Sequence, residues 1–96
     1  MSWIVELLDA RVRDELEALF FEMRARFRRI AELIQVHGLE AMREMRMKGR
    51  DGISRAIYVT ARNRRAVVVR VFVKQTRKTP RREIDLALER AREVDS

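Results

Sequence analysis

The stretch Ala66–Ile84, AVVVRVFVKQTRKTPRREI, constrains the fold more than any other part of the chain. β-Branched residues at Val67, Val68, Val69, Val71 and Val73 favour a strand. The run passes without a spacer into Lys74, Arg77, Lys78, Arg81 and Arg82. Thr79-Pro80, inside the basic segment, reads as a helix start. Threonine is a good N-cap, and proline is favoured at the first helical position, where its missing N–H has no helical partner anyway. A buried strand thus delivers fixed positive charge to a sheet edge at the point where the chain turns. Such a cluster suits a phosphate chain, so nucleic acid is the first partner to consider.

Side chains alternate across a strand. Val67, Val69, Val71 and Val73 therefore form one apolar face, expected to pack on helices. Arg70, Phe72 and Lys74 lie on the other, which is expected to be open, with Arg70 and Lys74 as its exposed pair. The helix opened by Thr79-Pro80 carries Ile84, Ala87, Leu88 and Ala91 along one stripe, expected to be its buried side. Its acids Glu83, Asp85, Glu89 and Glu93 read as a solvated face.

Upstream, Trp3–Leu8 reads as a short, mostly buried strand. Asp9 is a candidate N-cap, with no glutamate three residues later to complete a capping box. From Val12 the apolar residues fall at 12, 16, 19, 20, 23, 27, 30, 33 and 34, the three- and four-residue steps of an amphipathic helix. Ala10–Val36 is long for one helix in a small domain, so the pattern predicts an antiparallel pair broken near Leu19–Phe21. His37-Gly38 closes the second helix. Arg24, Arg26, Arg28 and Arg29 on that helix are flanked by the glutamates Glu22 and Glu32 and read as solvated.

After Gly38 the period changes to two. Glu40–Lys48 alternates imperfectly, Gly49–Gly52 is a turn, Ile53–Thr60 is a clear strand, and Arg62–Arg65 is a hairpin loop. The order β-α-α-β-β-β-α predicts an α+β domain. It has a mainly antiparallel sheet, a helical hairpin on one face and a C-terminal helix. Ninety-six residues suffice for one domain, spanning residues 1–96.

Charge is segregated. Residues 40–82 hold fourteen Lys/Arg against three acids, although the whole chain carries only +7. A central excess of this kind is the electrostatic footprint of a nucleic-acid binder. Many chemistries are excluded. The chain has no cysteine, which removes disulfides, thiolate metal sites and thiol nucleophiles and is compatible with a reducing cytoplasm. The single histidine, His37, cannot build a histidine-rich metal site; at a helix end its ordinary role is with the helix dipole or solvent. Gly49 and Gly52 stand too close together for a Walker loop. No segment approaches the roughly 20 apolar residues that span a bilayer, and the N-terminal apolar run is too short for a signal peptide. The expected compartment is the cytoplasm, with no membrane partner and no cofactor or metal.

Arginine, lysine and one tyrosine, Tyr58, remain on the meander. Arg and Lys can hold a phosphate and stabilise charge building on it. RNA cleavage needs a base for the 2′-hydroxyl, cations on the phosphorane and an acid for the leaving 5′ oxygen. RNA supplies its own nucleophile, so no metal is required. The competing reading of Arg43 and Arg55 is a cross-strand charge ladder with Glu44. For Tyr58 it is half-buried packing.

Four segments carry a resemblance: Met42–Arg46, Lys48–Ile53, Arg55–Tyr58 and Phe72–Ile84, the last reading FVKQTRKTPRREI. They resemble the RelE/HigB-like toxins, most closely the phage-derived branch of that superfamily. The match is sharp over about residues 40–92 and topological before that, and the K-x-T-x-K-T-P segment followed by a helix is its most specific part. The resemblance implies a toxin of a type II toxin–antitoxin pair and a metal-independent endoribonuclease that cuts mRNA, commonly on the ribosome. A helix-turn-helix antitoxin would neutralise it and is expected to cover the basic open face. It implies that Arg43, Arg46 and Lys48, then Arg55, then Lys74 occupy positions where the family keeps catalytic or RNA-binding cations. Lys78 belongs to the motif. We therefore take Arg46, Arg55, Lys74 and Tyr58 as candidate catalytic residues. The candidate RNA contacts are Arg43, Lys48, Arg70, Arg77, Lys78 and Arg81. Ser54 stands where relatives commonly place an aromatic, and Arg70 where they often place a histidine. Some fold relatives, the ParE-like gyrase poisons, lack ribonuclease activity, so a non-catalytic toxin or plain nucleic-acid binder is the alternative.

Overall fold

Strand β4 (Arg65–Lys74) organises the sheet. In the computed structural model, which describes residues 3–38, 45–49, 52–74 and 79–94, it is preceded by β1 (Ile4–Leu7), α1 (Ala10–Glu17), α2 (Phe21–His37), β2 (Met45–Gly49) and β3 (Gly52–Ala61), and followed by α3 (Arg81–Ala91). The sheet order is β1-β4-β3-β2; β1 runs parallel to β4 and the other pairings are antiparallel. The α+β architecture read from the sequence is the one observed.

Local signals explain the helices. Asp9 caps α1, its carboxylate accepting from the Arg11 backbone N–H at 3.0 Å. The break between α1 and α2 falls at Ala18–Phe20, where Leu19 turns into the core. Helix α2 ends at His37, and Gly38 follows at φ 83°, a left-handed conformation. A Cβ there would also lie 3.4 Å from the Trp3 ring, so glycine serves both backbone and packing.

β4 does not present one valine face. Ile57 pairs with Arg70 and Tyr58 with Val68, so Val69 is an extra residue, a β-bulge. The bulge resets the alternation. Val68 and Val71 join Val12, Met23, Phe27, Ile34, Met47 and Ala56 in the core beneath α1 and α2. Val67 and Val69 join Ala87 of α3, with Ile57 and Val59, in a second core on the opposite face. Val73 is 39% exposed. Burial on both sides is why the run Val67–Val69 is continuously apolar. It also corrects the expected open Arg70 face, because α3 covers it.

The end of β1 sets the orientation of α3. β1 stops at Leu7, opposite Val68, so the far half of β4 has no strand on that side. Side chains take over the backbone groups left there. Glu15 of α1 accepts from the Val71 N–H at 3.0 Å, and Arg90 of α3 donates to the Val69 carbonyl at 3.0 Å. Buried backbone polar groups must be paired, and α3 turns its charged residues inward to do so. Its buried positions are Glu83, Ala87 and Arg90, while Ile84 and Leu88 of the expected apolar stripe are 43% and 59% exposed. Glu83 is therefore not part of a solvated face.

Helix α3 starts one residue later than the sequence indicates. Pro80 is the N-cap and no side chain caps the helix. The Thr79 hydroxyl is turned elsewhere, as described next.

Candidate functional site

The strand register assembles the cations. Arg46 of β2 lies directly opposite Arg55 of β3, and Arg55 opposite Phe72 of β4, forming one cross-strand row. Two residues along, Lys48, Ile53 and Lys74 form the next row by backbone pairing. Arg46 and Arg55 alternate with the core residues Met47 and Ala56, so their row lies on the sheet face away from α1 and α2. Arg46 is exposed and Arg55 half-buried. Arg55 Nη1 donates to Thr79 Oγ1 at 3.3 Å, which ties the row to the chain entering α3.

Like charges directly opposite one another on a sheet are destabilising. Two facing arginines therefore form a place where an anion is welcome. A phosphate bridging them would receive charge-assisted hydrogen bonds and relieve their repulsion. The register neighbours of Arg55 are Arg46 and Phe72; Glu44 and Arg43, with which the ladder reading would place it, lie outside the described residues.

The other candidates divide sharply. Arg70 is not an open RNA contact. Its guanidinium makes two hydrogen bonds to Glu83, at 2.9 and 3.1 Å, and an ion pair with Glu15 at 2.6 Å. It also sits over the Phe72 ring, 5.9 Å from the centroid. Burial pulls its pKa down, but the hydrogen bonds it donates to Glu83 and Glu15 and their negative charge outweigh that and raise it, so the group stays charged and spoken for. Glu15 Oε2 is shared with Arg90 at 2.7 Å. The reason is the bulge, which places Arg70 between α1 and α3.

Tyr58 falls on the wrong side of the sheet for the row. It packs against the core under α1 and α2, on the face opposite Arg55, as the packing reading held. Ser54 is buried on that same face and donates to the Met47 carbonyl at 3.3 Å, so its departure from the family pattern concerns packing. Arg81 is open at the start of α3, its side chain 91% exposed and 3.9 Å from Asp85. Arg77 and Lys78, and the side chains of Lys48 and Lys74, lie outside the described residues.

Sequence reasoning missed Thr79 as a partner of Arg55, because its position before proline reads as a cap. It also missed Glu15, Glu83 and Arg90, whose spacing carries no sign that a bulge in β4 would recruit them.

This sheet order, with a helix pair on one face and a third helix on the other, is a RelE-like fold. The fold is that of the E. coli toxin RelE: an arginine-to-alanine double mutant in the free state matches with a TM-score of 0.67 and 17% identity, covering 94% of this chain and 98% of that one. The chain belongs to the family described as phage derived protein Gp49-like, whose model matches residues 3–92. Among curated proteins no sequence matches significantly. No described helix is long and apolar enough to cross a membrane.

Proposed function

We propose that this chain is the toxin of a type II toxin–antitoxin pair and an endoribonuclease that cleaves mRNA on the ribosome, in the cytoplasm, without a metal ion. The observation that carries the reading is the Arg46–Arg55 opposition beside Thr79. In this mechanism the 2′-oxygen bonds to the adjacent phosphorus and the bond from phosphorus to the 5′ oxygen breaks. The products are a 2′,3′-cyclic phosphate and a 5′-hydroxyl. Arg46 and Arg55 hold the non-bridging oxygens, where charge builds in the transition state. We assign proton transfer to Lys74, one ladder row from Arg55. Lys48, Arg81 and the motif residues Arg43, Arg77 and Lys78 contact the flanking backbone.

The test is cleavage of mRNA in a translation extract containing EDTA, with RNA ends mapped. Wild type cleaves, and Arg55→Ala, Arg46→Ala and Lys74→Ala are each impaired. Absence of cleavage by wild type, or equal cleavage by the variants, sinks the proposal.

A second reading is favoured by one specific observation. Arg70 is held by two carboxylates and Tyr58 faces the core, so neither serves the row as acid or base. On this reading the protein binds its target without cutting, as a non-catalytic toxin of the same fold. Salt-sensitive RNA binding with no new RNA ends would select it. In either case a helix-turn-helix antitoxin encoded next door is expected to cover the cationic row, and co-purification with the adjacent gene product tests that.

A further inference from the structure

The outward side of α2 carries a surface that the cationic row does not use. Phe20 and Phe21 are 58% and 76% exposed, adjacent, and outside both cores. The Arg24 guanidinium lies over the Phe21 ring, 6.0 Å from its centroid. Arg24, Arg26, Arg28 and Arg29 are all exposed. Helical spacing sets Phe21, Arg24 and Arg28 in one row (i, i+3, i+7) turned away from the buried positions Met23, Phe27 and Ile34.

A single exposed phenylalanine is ordinary on a protein surface. Two neighbouring rings followed by a row of arginines form a different object. A docked amphipathic helix of a partner protein needs apolar anchors repeated at i, i+3, i+4 and i+7. Beyond Phe21 this row continues as arginine, so it offers such a helix one anchor and then charge. Unpaired nucleotides need the opposite: a flat apolar surface for a base and cations for the phosphates on either side. Guanidinium planes stack on bases and also pair with phosphate.

We infer that the Phe20–Phe21–Arg24–Arg28 surface of α2 is a second contact for single-stranded RNA, on the opposite side of the sheet from the Arg46–Arg55 row. This rests on the RNA-directed reading above. Bases stack on the phenylalanines and Arg24 and Arg28 take successive phosphates. One strand cannot occupy both surfaces without wrapping an edge, so the α2 surface grips a segment separate from the one being cut.

The test uses a fluorescein-labelled, 2′-O-methyl single-stranded oligonucleotide of mixed sequence, which binds but cannot be cleaved. Its affinity is measured by anisotropy at several salt concentrations. Because all four positions are solvent-facing, F20A/F21A and R24Q/R28Q should melt as wild type does. F20A/F21A is expected to weaken binding about tenfold, the scale of stacking one base, without changing the salt slope. R24Q/R28Q is expected to reduce the log–log slope by about 1.4, roughly 0.7 per phosphate on a single strand. Wild-type affinity and slope in both variants would overturn the inference. If Arg46→Gln/Arg55→Gln loses binding meanwhile, only the α2 surface falls. A wild type that neither binds nor cleaves RNA removes the functional proposal and this inference together.

Discussion

Arg70 of β4 and Glu83 of α3 meet through two nearly parallel hydrogen bonds, 2.9 and 3.1 Å long, with Glu15 of α1 closing the opposite side of the guanidinium at 2.6 Å. Three elements separated in sequence are thus pinned at one β-bulge. The side chain that strand alternation on paper leaves open is a structural ion.

Arg70→Ala takes the bidentate partner from Glu83 and leaves Glu15 with Arg90 and the Val71 N–H, both carboxylates being largely buried with side chains 10% and 15% exposed. Breaking a buried pair by removing one partner costs about 3–5 kcal/mol. Partial solvent access reduces that to roughly 2–4 kcal/mol here. Urea titration followed by circular dichroism should show the lower midpoint. The Arg70→Ala/Glu83→Ala double variant should lose less than the sum of the two single losses, because the pair is coupled. A midpoint unchanged by Arg70→Ala would refute the structural role.

Arg46 and Arg55 face one another, so removing one charge should help folding while harming function. Arg46→Gln is expected to stabilise the protein by about 0.2–1 kcal/mol. The same change should lower the cleavage rate by about 100-fold, the scale of losing one preorganised donor at a developing anion. Thermal melting and single-turnover cleavage measure the two effects. Stability and activity falling together would point to a purely structural arginine.

Acid should loosen the start of α1. The Arg11 guanidinium, hydrogen-bonded to Asp9 at 2.6 and 2.9 Å, holds the Asp9 carboxyl below its ordinary value near 3.8. A depressed folded-state pKa contributes stability that is present above the unfolded value and lost as pH falls through the folded one. Asp9→Asn keeps a capping oxygen but not the charge. It should flatten the fall in melting temperature below about pH 4, near the unfolded pKa of aspartate, whereas Asp9→Ala should lower it at every pH. Parallel wild-type and Asp9→Asn curves would remove Asp9 from the acid response.

The loop joining β3 and β4 holds two consecutive left-handed residues, Asn63 at φ 63° and Arg64 at φ 56°. Asparagine tolerates this conformation; arginine rarely adopts it. Arg64→Gly should relieve strain, offset in part by the greater freedom glycine gains when unfolded, for a net gain of about 0.5–1 kcal/mol. Differential scanning calorimetry would register the rise in melting temperature. A fall would show that Arg64 makes contacts worth more than the strain.

Much of the fold was legible because its causes are local. The Asp9 cap, the break after α1, the stop at Gly38 and the strand character of Ile53–Thr60 and Ala66–Lys74 depend on residues within a turn or two of each other. Arg46 and Arg55 were legible as cations on the meander, and their opposition follows from the hairpin register. The expectation that the Arg70 face is open failed at Val69, since a bulge is invisible in a run of valines that would pleat equally well without it. Spacing marks Ile84 and Leu88 as the buried stripe of α3, because hydrophobicity is the usual reason a helix chooses a face. Here the choice fell to Glu83 and Arg90.

The sequence by itself determined the element order, the basic meander and the supply of cations with which this protein can meet a phosphate chain. Only the tertiary structure decided that Arg70 is held in an ion network instead. That decision depends on where β1 ends along β4. The Val69 carbonyl and Val71 N–H beyond it had to be paired by side chains from α1 and α3, and Arg70 was drawn into the ion network those side chains form.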